Sequence, residues 1–331
     1  MDKKTRPADL TRRTRQWAYA LLTTHMLRVL LACAALAAVP SLARAQFGWR
    51  WMGCPAADKA RQVWFRHTTT GVGEVEKATL TLSTTGFARA YVNGRLVDPS
   101  PLSPARRDGD HSQRQITWDV SAFMVSDDTL DVALWCAQPD GLPCAVAARL
   151  DCRRTDGTAF AVVSDSSWLC RPAPVETDSC GTATFDSRQW HPTWSYGDTD
   201  WARWTPVAVA DPVAYGSPSG ADAPQLEVRA VSTARETGRE AHSARYDFGH
   251  AFVGFVRVTL RDAVPGESVR VGTTRYICSG LTDEQLIGRF RACPWREVTV
   301  SGDGRFKPSQ VQTVEGLEIG PRKERCQLGW R

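Results

Sequence analysis

Short apolar runs that alternate with polar residues dominate the chain from Trp64 to Trp168, and no stretch there holds a helical period for three turns. Residues one apart in a strand point to opposite faces, so such runs predict strands with one buried and one exposed face. Ala78 to Leu82 and Phe87 to Val92 are two of them. Asn93-Gly94, both suited to positive φ, then turns the chain into a return strand at Leu96 and Val97. The alternating sets Leu130, Val132, Leu134, Cys136 and Val146, Ala148, Leu150, Cys152 predict two more strands, each with an exposed face. Asp156-Gly157 predicts a tight turn before Phe160 to Val163. Seven or so short strands with these turns fit a sandwich or jelly roll.

The stretch Pro206 to Pro224 is poor in large apolar side chains, with Gly216, Ser217, Pro218, Ser219 and Gly220 at its centre, and it marks a domain boundary. Beyond it Leu226 to Val231, Arg245 to Phe248, Phe252 to Leu260, Ser268 to Gly272 and Glu297 to Val300 read as strands, with Pro265-Gly266 as a turn. Asp283 to Phe290 is expected as one helical excursion. The fold class is therefore all-β, with a jelly-roll domain over 46–212, a second β-sandwich over 213–320 and a tail over 321–331.

The first 45 residues change the charge picture. Arg28, the apolar run Val29 to Val39 and the small-residue triplet Ala43, Arg44, Ala45 have the layout of a secretory signal, with cleavage before Gln46. The polar, basic stretch before Met26 makes that methionine a candidate start. An apolar run of eleven residues is short of the roughly 20 that span a bilayer, so no membrane span is expected. The protein is expected to be exported, to the periplasm or beyond. Without this leader 33 Lys and Arg face 34 Asp and Glu. That balance offers no field for nucleic acid or an anionic membrane.

Nine cysteines follow the leader, and an oxidising compartment favours disulfides. Cys136 with Cys144 and Cys170 with Cys180, each pair flanking a polar loop, are the preferred bridges. No Cys-x-x-Cys occurs and the histidines are scattered, so neither a metal nor any other cofactor is expected. Phosphate-loop, Gly-x-Ser-x-Gly and His-Glu-x-x-His signatures are absent.

Several segments, in order, resemble the N-terminal accessory domains of bacterial α-L-rhamnosidases. They include Trp64-Phe65-Arg66, Tyr91-Val92-Asn93-Gly94, Ser164 to Trp168, Thr184-Phe185-Asp186-Ser187-Arg188 and Asp198 to Trp201. Phe248-Gly249, Gly254 to Val258 and Pro265 to Val271 are similar to the sandwich that precedes that family's catalytic barrel. The resemblance covers about residues 62 to 272 and implies a rhamnose-related carbohydrate context. Pro321-Arg322-Lys323-Glu324-Arg325 and Leu328-Gly329-Trp330 also resemble the segment that carries the family's general acid, which would give Glu324 that role. Two extra residues interrupt the motif, Ile319-Gly320 replaces its leading Asp-Cys, and no barrel helices precede it. The expectation is a non-catalytic carbohydrate-binding or scaffolding fragment. Two rivals stay open, an active glycosidase completed by a barrel encoded elsewhere and a structural cell-envelope module.

Five aromatic residues lie between Trp190 and Trp204, and aromatic faces are what sugar rings stack upon. Trp201 and Trp204 are expected in the core. Trp190, Trp194 and Tyr196 are candidates for a sugar platform, with Asp186 and Arg188 either binding hydroxyls or forming a structural ion pair.

Overall fold

The structure is a computed structural model, and it describes residues 49–57, 61–106, 112–125, 128–138, 144–178, 182–197, 203–210, 219–220 and 225–322. The leader, the boundary stretch around Gly216, Cys180, Trp201 and Glu324 lie outside the described residues. Trp49 onward forms one compact unit.

Among the described residues the strands form a seven-stranded and a fifteen-stranded sheet. The smaller sheet is centred on Val146–Arg154, which pairs antiparallel with Val75–Thr84 on one side and with Ala159–Val163 and Trp51–Gly53 on the other. The larger sheet faces it with Leu169–Thr177, Arg61–Thr70, Thr129–Ala137 and Phe87–Val92 side by side. Leu80, Leu82, Leu150 and Val146 from one sheet and Val63, Phe65, Val132, Leu134 and Cys136 from the other fill the space between them. The Asn93-Gly94 turn forms as expected, with φ of 50° and 75°, and it sets the register Tyr91 to Leu96 and Val92 to Arg95.

The larger sheet then runs on into the second half of the molecule, because Ala183–Asp186 pairs in parallel with Thr274–Ile277. There Ser243–Arg261, with the positive-φ Gly249 inside it, is shared among four neighbours. It pairs with Arg235–Arg239 and Cys293–Gly302 along its first part, with Asp283–Ile287 along its last, and with Val311–Pro321 from Gly254 to Leu260. Residues Tyr246, Val258, Leu260, Val298, Val300 and Phe306 make the core of this half.

Three expectations need correction. Asp283–Ile287 is a strand, paired with Arg257–Arg261, and not part of a helix. Glu284 and Leu286 are buried while Asp283 and Gln285 are exposed, which is the two-residue period of a strand. Thr129–Ala137 has no exposed face: every residue after Thr129 is buried, because a loop and an arm from the second half cover the face away from the smaller sheet. Finally, the bridge expected between Cys136 and Cys144 does not form, and no two cysteines among the described residues lie at disulfide distance. Cys136 is spent as an apolar side chain between the sheets, and burial pushes its thiol up.

Candidate functional site

The outer face of the larger sheet carries Trp64, Trp135, Phe87, Arg89 and Tyr91, brought level by the registers Trp64 to Trp135 and Arg89 to Trp135. Such a face cannot stay bare in water, since each indole buries a large apolar area. The segment that follows Ala183–Asp186 covers it. Asp186 caps a single 3-10 turn, Ser187–Gln189, by accepting the backbone N–H of Arg188 at 3.1 Å. Turns closed by Trp194 N–H to His191 and Tyr196 N–H to Thr193 then fold the loop back over the sheet.

The loop places its aromatic residues in three different settings. Trp194 is 2 % exposed and stacks face to face on Trp64, with centroids 4.7 Å apart and planes 7° apart. Its ring is core, with Tyr91 against it edge-on at 5.1 Å. Tyr196 is 44 % exposed and lies on the hairpin, where a Cβ at Gly94 would fall 2.3 Å from its Cδ1. Gly94 therefore serves both the turn's positive φ and the approach of this ring. Trp190 is half-buried, touching Trp64, Trp135 and Phe185 at 5.5, 5.7 and 6.0 Å. The three rings do not share one exposed platform. Trp204 is buried, as expected.

A buried ion pair fastens the loop. Arg66 and Asp131 meet at 3.0 Å on neighbouring strands, and Thr68 donates to the same carboxylate. Asp131 also accepts the N–H of Gly197 at 3.0 Å, while Arg66 donates to the carbonyl of Gly197. Both charges thus find backbone partners in the loop, which is the condition for a buried pair to be tolerated. The other expected pair, Asp186 with Arg188, is bidentate at 2.9 and 2.8 Å. Hydrogen bonding by Arg188 holds the Asp186 carboxyl below its ordinary value. Gln189 donates to it as well, so Asp186 is a structural carboxylate at the loop's root.

Trp190 is also one wall of a cleft of about 370 Å³, which the second half closes from the other side. Phe185 and Tyr276 stack at its back, 5.1 Å apart. Ser187, Asp283, Gln285 and Arg289 put polar groups on its rim. Burial pushes the Tyr276 phenol up to about 12, against the opposing effect of a hydrogen bond with Ser187. Glu284 lines the cleft but is consumed: its carboxylate accepts the N–H groups of Ser279, Gly280 and Leu281 at 3.1, 2.6 and 3.1 Å. Gln285 and Arg289 were not readable as site residues, because a helix over 283–290 would place their side chains differently, and Tyr276 reaches the cleft only through the pairing of Thr274–Ile277 with Ala183–Asp186.

A second hollow, of about 500 Å³, lies on the outward face of Val146–Arg154. Arg149 pairs there with Asp151 at 2.7 Å and Arg153 with Glu76 at 3.1 Å, and Arg154 covers Phe160. It offers a ligand neither an open ring face nor an unpaired charge of this set. Among the described residues no group of His, Cys, Asp and Glu could hold a metal ion, and no helix is long and apolar enough to cross a membrane.

Residues 73–230 match the family model of the alpha-L-rhamnosidase N-terminal domain. The chain carries a rhamnosidase N-terminal accessory domain. Its fold is shared with the alpha-L-rhamnosidase from Dictyoglumus thermophilum, at 18 % identity and a TM-score of 0.71 over 83 % of this chain and 36 % of that one. The Aspergillus terreus alpha-L-rhamnosidase gives 18 %, 0.71, 84 % and 37 %. The Streptomyces avermitilis enzyme, solved with L-rhamnose, gives 22 %, 0.68, 79 % and 29 %. The chain thus spans about a third of the length of these structures. No curated protein matches it. The family match takes in Trp135 and the covering loop, while Trp64 lies before it and the wall made by Tyr276 and Arg289 lies beyond it.

Proposed function

We propose that this protein is a non-catalytic carbohydrate-binding module of an alpha-L-rhamnosidase-like glycoside hydrolase, exported from the cell, and that the Trp190 cleft takes the sugar. The observation that carries this reading is the meeting, in one cleft, of the half-buried Trp190 ring and the largely buried Tyr276 ring with the polar groups of Ser187, Asp283 and Gln285. A sugar needs this combination, because its C–H faces stack on aromatic rings while its hydroxyls exchange hydrogen bonds.

The state of the carboxylates supports a binding rather than a hydrolytic role for the described residues. Inversion or retention at a glycosidic bond uses two carboxyl groups free to act as acid and as base or nucleophile. The buried carboxylates here are held by other partners: Asp98 by Ser100 and Ser103, Asp131 by Arg66 and Gly197, Asp186 by Arg188, Glu284 by three backbone N–H groups, and Glu267 through Oε2 alone by the Val264 N–H and Gln310. The tail containing Glu324 is outside the described residues, so the general-acid role suggested by resemblance gains no geometric support.

The test is a calorimetric titration of the purified protein with L-rhamnose and rhamnose oligosaccharides. A single shallow cleft should give millimolar affinity, about 4 kcal/mol. Trp190→Phe, which keeps most of the packing but shrinks the ring face, should weaken binding. Heat that shows no saturation with any of these sugars would remove the binding role. Release of nitrophenol from an aryl α-L-rhamnoside, abolished by Glu324→Gln, would instead make the chain an enzyme.

A further inference from the structure

We propose that the cleft selects an anionic saccharide, seating the carboxylate of a sugar acid on the Arg289 guanidinium with Arg89 as a second positive charge behind it. The proposal rests on the carbohydrate reading above and narrows its ligand class.

The argument is one of unbalanced charge. Of the two acids that line the cleft, Glu284 is capped by backbone N–H groups, and Asp283 holds Arg261 at 3.0 Å. Arg289 makes no hydrogen bond or ion pair among the described residues, and its guanidinium lies 5.0 Å from the centre of the Trp135 ring. Arg89 stands opposite Trp135 in the strand register, and its Nε is buried with no partner. Arg89, Tyr91 and Tyr276 face Arg289, and none of them is a carboxylate.

Two like charges near one indole repel, and partial burial strips them of water. The π face of Trp135 offsets part of that cost. A carboxylate would offset the rest, because the guanidinium fork matches its two oxygens and a charge-assisted pair is about twice as strong as a neutral hydrogen bond. Since Arg289 shares the cleft with Trp190 and Tyr276, the anion it accepts would come attached to a ring that these side chains can hold.

Three probes separate the possibilities: D-galacturonate, the neutral D-galactose of the same ring, and inorganic sulfate as an anion without a ring. Wild type should bind galacturonate about tenfold more tightly than galactose at low ionic strength, and the advantage should shrink as salt is added. Arg289→Gln should abolish the advantage while leaving galactose binding in place. Arg289→Lys, which keeps the charge and loses the fork, should retain only part of it. Equal binding of the two sugars by wild type, needing no variant, would overturn the proposal and leave the carbohydrate reading standing. Sulfate binding as tight as galacturonate would also overturn it, by showing a site for anions in general. Absence of saturable binding by every sugar would overturn both readings together.

Discussion

The strands Val146–Arg154 and Thr129–Ala137 read alike as alternating sequences and face each other across the same core, yet only one of them meets water. Val146–Arg154 turns Arg149, Asp151 and Arg153 outward, and these pair on the surface. Thr129–Ala137 is buried on both faces, with Val132, Leu134 and Cys136 toward the smaller sheet and Ala133, Trp135 and Ala137 under the loop of Trp190 and Trp194. The difference teaches that the second face of the larger sheet is an interior made by its cover. It also explains why a cleft lies at the cover's edge, where Trp190 passes from that interior to the rim.

The comparison can be broken most sharply at the cover itself. Trp194→Ala removes a buried indole stacked on Trp64 and should lower unfolding free energy by about 3–5 kcal/mol in a urea melt. A loss below about 1 kcal/mol would mean that the loop merely lies on the sheet. Gly94→Ala should come next, at about 1–3 kcal/mol, since an added Cβ meets both the positive φ and the Tyr196 ring. Combining it with Tyr196→Ala should recover the part due to the ring, measured as a double-mutant cycle. On the uncovered sheet Arg149→Ala should change stability by no more than about 0.5 kcal/mol, despite its 2.7 Å contact with Asp151. A larger loss there would erase the contrast between the two faces.

The smallest effect concerns thiols and not stability. Hydrogen bonding with Cys170 lowers the Cys54 thiol to about 7, whereas burial pushes Cys144 up to about 12. Thiolate is the reactive form, so it accumulates at Cys54 as pH rises through 7. Iodoacetamide labelling followed by mass spectrometry should find Cys54 modified with a midpoint near pH 7, and Cys136 and Cys144 protected in the folded protein. Equal labelling of all three would mean that the space between the sheets is open to reagent.

Much of the architecture was legible because its signals are local. Phe87–Val92 has the predicted bounds, and Asn93-Gly94 turns where two positive φ values are needed. The ordered segments from Trp64-Phe65-Arg66 to Pro265-Gly266 pointed to the family whose N-terminal domain matches residues 73–230. The strand at Asp283–Ile287 was not legible. Its short apolar content suits either a helix or a strand, and only pairing with Arg257–Arg261 decides between them.

The candidate site divides in the same way. Trp190, Trp194, Tyr196, Asp186 and Arg188 were all recognisable as one aromatic, charged loop, and the pairing of Asp186 with Arg188 needs only residues two apart. Which ring is core, which is rim and which lies on a hairpin depends on partners far along the chain: Trp64 for Trp194, Gly94 for Tyr196, and Tyr276 with Arg289 across the cleft from Trp190. Sequence by itself determined the all-β class, the turns and the aromatic loop, since periodicity and φ preference act over a few residues. Tertiary structure alone decided that the larger sheet has no exposed face under that loop and that an unpaired arginine meets a tryptophan at its edge, because burial and charge balance are set by residues that only folding brings together.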